Sequence, residues 1–254
     1  MGDGSKNPQR SGSQRSRTAT ASGAGAHELG RTTTSRQRGR LAVSAVLVGL
    51  VLGSALVALS LSAVLGGASG NAPAPVQLEG TPVERRALGP PDAPVQIVLY
   101  NDFQCAHCER LHREAEVEIL SRYVATGKAR LEVRQVAFMG PESASAAEAA
   151  LCAADQGKFW EYRDALFTVW RQIGPVAYSA QGLKEVASQL GLKGDVFGAC
   201  LDAGVRKAEA QEDILRAEAD GVRGVPTVFI NGRKLEGVGP FEAYARIIEE
   251  VLAR

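Results

Sequence analysis

From Val95 to Tyr100 the chain reads Val-Gln-Ile-Val-Leu-Tyr, a short, nearly unbroken β-prone run that predicts a central buried strand. The apolar period then changes: Cys108, Leu111, Ala115, Ile119 and Tyr123 recur at helical spacing, and Gly127 closes the segment. A second strand is expected over Leu131 to Phe138, where Leu131 and Val133 alternate with Arg130, Glu132 and Arg134. From about 142 to 221 strand signals are absent. Five helices are expected there, Ala144 to Ala154, Lys158 to Trp170, Gln181 to Leu190, Asp195 to Ala203 and Val205 to Ala219, punctuated by Gly157, Gly174-Pro175, Gly191 and Gly204. Thr227 to Ile230 and Arg233 to Leu235 flank Asn231-Gly232, a strong hairpin signal. A last helix carries Phe241, Tyr244, Ile247, Ile248, Val251 and Leu252 on one face. The class is α/β: a β-α-β half, a helical block, then a β-β-α half.

Upstream, Leu41 to Leu65 holds no charged residue over 25 positions. A helix of that length reaches roughly 37 Å, enough to span a hydrocarbon core of about 30 Å with some tilt. It exceeds the apolar region of a signal peptide, which usually runs about 7 to 15 residues, so a retained transmembrane helix (a signal anchor) is expected over 41–65. Cleavage near Gly70-Asn71-Ala72 is the alternative. Residues 1–40 carry eight Lys/Arg against Asp3 and Glu28 and almost nothing apolar, the composition of a disordered tail. Because Arg31, Arg36, Arg38 and Arg40 precede the apolar run and no charge follows it until Glu79, the tail is expected in the cytoplasm and the body outside, at the cell membrane. Residues 66–91, with Ala72-Pro73-Ala74-Pro75, read as a spacer before a folded domain at 92–254. The net charge of +1 conceals a body with 21 basic against 26 acidic residues, and with no basic, aromatic-interleaved patch nucleic acid is not an expected partner.

The chemistry concentrates at Cys105-Ala106-His107-Cys108. Disulfide exchange needs an attacking thiolate and a second thiol within reach, and two intervening residues put both on one helical turn. Cys105 falls where the strand gives way to the helix, so unpaired N–H groups and the positive dipole end favour its thiolate. His107 is a candidate donor to that thiolate, or else a solvated residue; His112 is expected to be an exposed helix residue. The pair could alternatively form half of a zinc site with Cys152 and Cys200 or His112, but no second C-x-x-C accompanies it, and no metal is expected. Gly224-Val225-Pro226-Thr227 stands just before a strand, where a proline suggests a special turn and a cis Val225-Pro226 bond.

Asp102-Phe103-Gln104-Cys105-Ala106-His107-Cys108, Gly89-Pro90-Pro91-Asp92-Ala93-Pro94-Val95 and Gly224 to Gly232 together resemble the DsbA-like family of bacterial disulfide oxidoreductases, over roughly 82–254. The resemblance implies a thioredoxin fold with a helical insertion at about 142–221, Cys105 as nucleophile, Cys108 as resolving thiol and Pro226 as a cis-proline against the disulfide. It also implies that the Val225 backbone pairs with an extended substrate segment. Asp102 matches an acidic residue of the family that could relay a proton to Cys108 or cap the helix. Ala106 stands where strongly oxidising members carry proline, so the redox potential does not transfer.

If Cys105 pairs with Cys108, Cys152 and Cys200 remain as a structural disulfide, with free buried thiols as the alternative. No cofactor beyond the redox-active disulfide is expected. The leading function is a dithiol oxidase acting on reduced or misoxidised exported proteins and reoxidised by a membrane partner, which the resemblance implies is a quinone-linked DsbB-like or vitamin K epoxide reductase-like protein. A reductase, an isomerase and a redox-inactive peptide-binding module compete. Against a reductase, Gln104 stands where a tryptophan is more usual; against an isomerase, the spacer holds no dimerisation module; against a pure binder, the thiol pair is intact.

Overall fold

The computed structural model describes residues 80–254. The expected tail at 1–40, the transmembrane helix at 41–65 and the spacer up to residue 79 lie outside the described residues. Among the described residues no helix is long and apolar enough to cross a membrane.

The fold is built on a six-stranded sheet of β1 (Val83–Glu84), β2 (Ala87–Leu88), β3 (Val95–Asn101), β4 (Ala129–Gln135), β5 (Thr227–Ile230) and β6 (Arg233–Glu236), in the order β1-β2-β4-β3-β5-β6. Only β3 and β4 run parallel, from Val95 beside Ala129 to Asn101 beside Gln135. A helical crossover joins them, as a parallel pair requires. It comprises α1 (Ala106–Leu111) and α2 (Val117–Ile119), each followed by a π stretch, His112–Glu116 and Leu120–Val124. The π stretches have a sequence cause. The buried positions Leu111, Ala115, Ile119 and Tyr123 repeat every four residues, which would rotate off the core face of an ideal helix, and i→i+5 bonding winds more residues into each turn.

Alternation sorts β3 by face. Val95, Ile97 and Leu99 join Ala129, Leu131 and Val133 in the main core, while Tyr100 packs on the opposite face with Val136, Ala217 and Val222. The β5–β6 hairpin turns on Asn231 and Gly232, both at positive φ, as a two-residue turn of this kind demands.

The helical block comprises α3 (Pro141–Ala154), α4 (Phe159–Ile173), α5 (Ala180–Gln189), α6 (Gly194–Asp202) and α7 (Lys207–Ala219), and α8 (Phe241–Leu252) closes the chain. Helix α3 presents buried Ala146, Ala149, Ala150 and Ala153, small side chains that admit close neighbours. Cys152 on α3 and Cys200 on α6 are joined by a disulfide with Cα atoms 6.0 Å apart.

Two expectations change. The fold begins before Asp92: β1 and β2 form a hairpin, and β2 pairs antiparallel with β4, so the spacer does not extend to residue 91. Its strands have two residues each and its turn uses Arg85 at positive φ, leaving no Asn-Gly signal to read. Gly89 follows, where a Cβ would lie 2.3 Å from the Ala129 carbonyl oxygen. Strand β4 ends at Gln135, not Phe138, because the Phe138 and Met139 N–H groups turn to the Asp102 carboxylate.

Candidate active site

Cys105 is the N-cap of α1, extended at φ −87° and ψ 113°, and its Sγ accepts from the Cys108 N–H at 3.3 Å. As a thiol it also donates toward the Val225 carbonyl at 3.5 Å. Cys108 lies one turn on, and both thiols are free. The hydrogen bond from the Cys108 thiol, with backbone bonds from Cys108 and His107, outweighs burial and lowers the Cys105 pKa to about 7. Cys108, 1% exposed, goes the other way: burial first, then the neighbouring sulfur, push its thiol far above the usual range. One geometry thus gives two unlike thiols, one readily ionised and one held neutral.

The Val225-Pro226 bond is cis, which brings the Val225 carbonyl over Cys105, and Pro226 is buried. The Thr227 hydroxyl donates to the Gly224 carbonyl at 2.7 Å across this turn.

His107 is exposed, and among the described residues its imidazole makes no hydrogen bond. What it offers Cys105 is its backbone N–H. Asp102 is not a helix cap, since Cys105 occupies that place. Its fully buried carboxylate accepts from the Gln104 N–H (2.8 Å), the Phe138 N–H (2.8 Å), the Met139 N–H (3.0 Å) and the Ser143 hydroxyl (2.6 Å). It therefore ties the cysteine loop to the β4–α3 connection. The Tyr178 hydroxyl, 3.1 Å from the carbonyl oxygens of Phe103 and Leu166, ties the same loop to α4.

His112 is not the exposed residue expected. Its ring stacks on Phe167 at 5.0 Å between centroids, and its Nδ1 lies 3.2 Å from an Arg163 nitrogen. Arg163, fully buried, holds Glu116 by two hydrogen bonds of 2.6 and 2.7 Å. Burial opposes the Glu116 charge, yet Arg163 and His112 prevail and lower its pKa to about 2. The sequence reading missed this cluster. The available signal was positional, because Arg163 falls among Phe159, Tyr162 and Leu166 on the core face of α4, and Glu116 falls four residues beyond His112 and eight beyond Cys108. Cys152 and Cys200, being bonded to each other, are not placed to complete a zinc site.

A thioredoxin family model matches residues 81–250. A probable disulfide bond formation protein D of Bacillus anthracis is 30% identical over 156 residues, covering 58% of this chain and 70% of that protein. The Na(+)/H(+) antiporter NhaA 3 of Salinispora tropica is 34% identical over 169 residues, 65% of this chain, and the chain spans 24% of that relative's length. Among solved structures, oxidised BdbD of Bacillus subtilis matches with a TM-score of 0.60 at 20% identity, over 66% of this chain and 93% of that one. For α-DsbA1 of Wolbachia pipientis the TM-score is 0.58 at 21% identity, over 69% and 94% of the two chains. At such identities the likeness is one of fold. With the family model spanning most of the chain and the cysteine pair seated at the start of α1 against a cis-proline, the chain belongs to the thioredoxin family, among its DsbA-like thiol-disulfide oxidoreductases.

Proposed function

We propose that the chain is a dithiol oxidase that introduces disulfides into exported proteins, working outside the cytoplasm. The observation that carries this reading is the asymmetry of the two thiols: a Cys105 with its pKa lowered to about 7 beside a Cys108 buried behind it. Stabilising the Cys105 thiolate stabilises the reduced form, which makes the disulfide form the better oxidant.

A substrate thiolate attacks Cys105 Sγ of the oxidised protein, the Cys105–Cys108 bond breaks, and its electron pair leaves on Cys108. A second substrate thiolate then attacks the substrate sulfur of the mixed disulfide, and Cys105 leaves as a thiolate. Two electrons have passed to the protein, and a quinone-linked DsbB-like or vitamin K epoxide reductase-like membrane partner would remove them. The Val225 backbone, at the rim of Cys105, is the element to which an extended substrate would add as a strand. The Cys152–Cys200 disulfide supports the extracytoplasmic placement, because such bonds persist in oxidising compartments. The anchor at 41–65 belongs to this reading as well.

Oxidised full chain, mixed with a reduced dithiol peptide, is expected to yield the peptide disulfide stoichiometrically, with a Cys105–Cys108 reduction potential above about −270 mV. A potential at or below that value would make the chain a reductase.

A further inference from the structure

The loop that leads into the cis-proline is fixed at both ends. The Val222 N–H donates to the Ala217 carbonyl at 2.8 Å, and the Val222 side chain is buried with Tyr100, Val136 and Ala217. Lys234 Nζ donates to the Gly221 carbonyl at 2.9 Å, and beyond the turn the Gly237 N–H donates to the Pro226 carbonyl at 2.8 Å. Between these anchors Arg223 and Gly224 are exposed, and a Cβ at Gly224 would meet nothing within 4 Å, so the segment is open to an approaching chain.

Arg223 stands two residues before Val225, whose carbonyl is 3.5 Å from Cys105 Sγ. Two residues span at most about 7 Å, so a long cationic side chain starts beside the backbone to which a substrate would add. The carboxylates of the same region are engaged elsewhere. Asp220 accepts from the Tyr100 hydroxyl at 2.6 Å and lies 3.5 Å from Arg216, while Glu236 pairs with Lys234 at 2.9 Å. Among the described residues Arg223 itself makes no ion pair and no side-chain hydrogen bond. Opposite charges on neighbouring strands attract and like charges repel, each by a factor of up to about five. An unpaired cation on a rigid loop at this rim therefore acts on the side chains that flank a substrate cysteine.

We propose that Arg223 is a specificity-determining residue for the exchange reaction: it favours substrate segments with Asp or Glu within two residues of the reacting cysteine and disfavours Lys or Arg there. The inference rests on the reading of Val225 as the place where an extended substrate adds, and it holds for exchange in either direction. Net charge gives the opposite sign. The body carries 21 basic against 26 acidic residues, so its overall field would disfavour an acidic segment.

The test uses oxidised full chain and reduced dithiol peptides that differ only in carrying Asp or Lys two residues before, or two residues after, the first cysteine. Second-order rates are compared as the Asp-to-Lys ratio, and dividing one chain's ratio by another's removes the effect of the peptide's charge on its own thiol. At about 0.01 M salt, where the screening length is roughly 30 Å, the ratio at one of the two positions is expected to fall about tenfold from the unsubstituted chain to Arg223→Glu, with Arg223→Gln between them. The difference should vanish near about 1 M salt, where that length is roughly 3 Å. Lys128→Glu makes the same change of charge just before β4, at the end of the sheet away from Cys105, and should leave the ratio unchanged. A ratio unmoved by Arg223→Glu at both positions, or moved as far by Lys128→Glu, overturns the proposal. If the unsubstituted chain oxidises none of the peptides, the oxidase reading falls, and the same ratios, read from reduced chain acting on the peptide disulfides, still decide the role of Arg223.

Discussion

At Cys105 three donors converge on one sulfur, and the largest contribution comes from the Cys108 thiol rather than from an imidazole. Alkylation of the reduced full chain by iodoacetamide, followed against pH, should therefore rise with a midpoint near 7 at Cys105. Cys108→Ala is expected to move that midpoint upward by about a unit, the scale of one lost hydrogen bond of roughly 1.5 kcal/mol to a charged group. His107→Ala, which keeps the backbone N–H, is expected to leave it in place, and a rise there comparable with that of Cys108→Ala would restore the side-chain role. The linkage has a definite sign. A thiol lowered from its ordinary value to about 7 in the folded state contributes stability to the reduced protein above pH 9, and that contribution is lost as pH falls through 7. The stability of the reduced form relative to the oxidised form should accordingly grow between pH 7 and pH 9. Much of this was legible in the residues, since a cysteine between a β-prone run and a helical period must sit at a helix start. Which donor dominates was not, because a hydrogen bond depends on where the imidazole points, and spacing does not encode that.

Among the elements, the connection between β4 and α3 turns on Asp102. Its carboxylate gathers three backbone N–H groups and a hydroxyl from two separate stretches of chain, all with little access to water. Asp102→Ala leaves those donors unsatisfied and should cost on the order of 3 kcal/mol, read as a lower urea midpoint at unchanged slope. The Cys105 alkylation midpoint should change less than in Cys108→Ala, which would separate a tether from a proton relay. The long elements were readable from period alone: β3, the α1 crossover, the Asn231-Gly232 hairpin and α8 all show the spacing of their type over several residues. The β1–β2 hairpin was not, since two-residue strands carry no period and depend on partners far along the chain. Among these are Glu84 with Arg130, and Arg86 with the buried Asp213. His112 misled for a related reason. It lies in the π stretch that follows α1, and the arrival of α4, with Phe167 and Arg163, encloses it.

For the molecule as a whole, the redox pair and the Cys152–Cys200 bond do separate work. The latter closes 48 residues of the helical block, and in the chain-entropy model a loop of that size adds up to ~4 kcal/mol by restricting the unfolded chain. Replacing Cys152 and Cys200 together with Ala should lower thermal stability accordingly while leaving the Cys105 midpoint near 7; a collapse of that midpoint would mean that the block also shapes the site. The central claim is that Cys105 exchanges and Cys108 resolves. It is tested most directly by incubating reduced full-length Cys108→Ser and Cys105→Ser chains with oxidised glutathione at pH 7 and weighing the intact products. The account predicts one stable glutathione adduct on Cys105 in the Cys108→Ser chain and none on the buried Cys108 of the Cys105→Ser chain. An adduct that forms on Cys108 instead, or on neither chain, would contradict it.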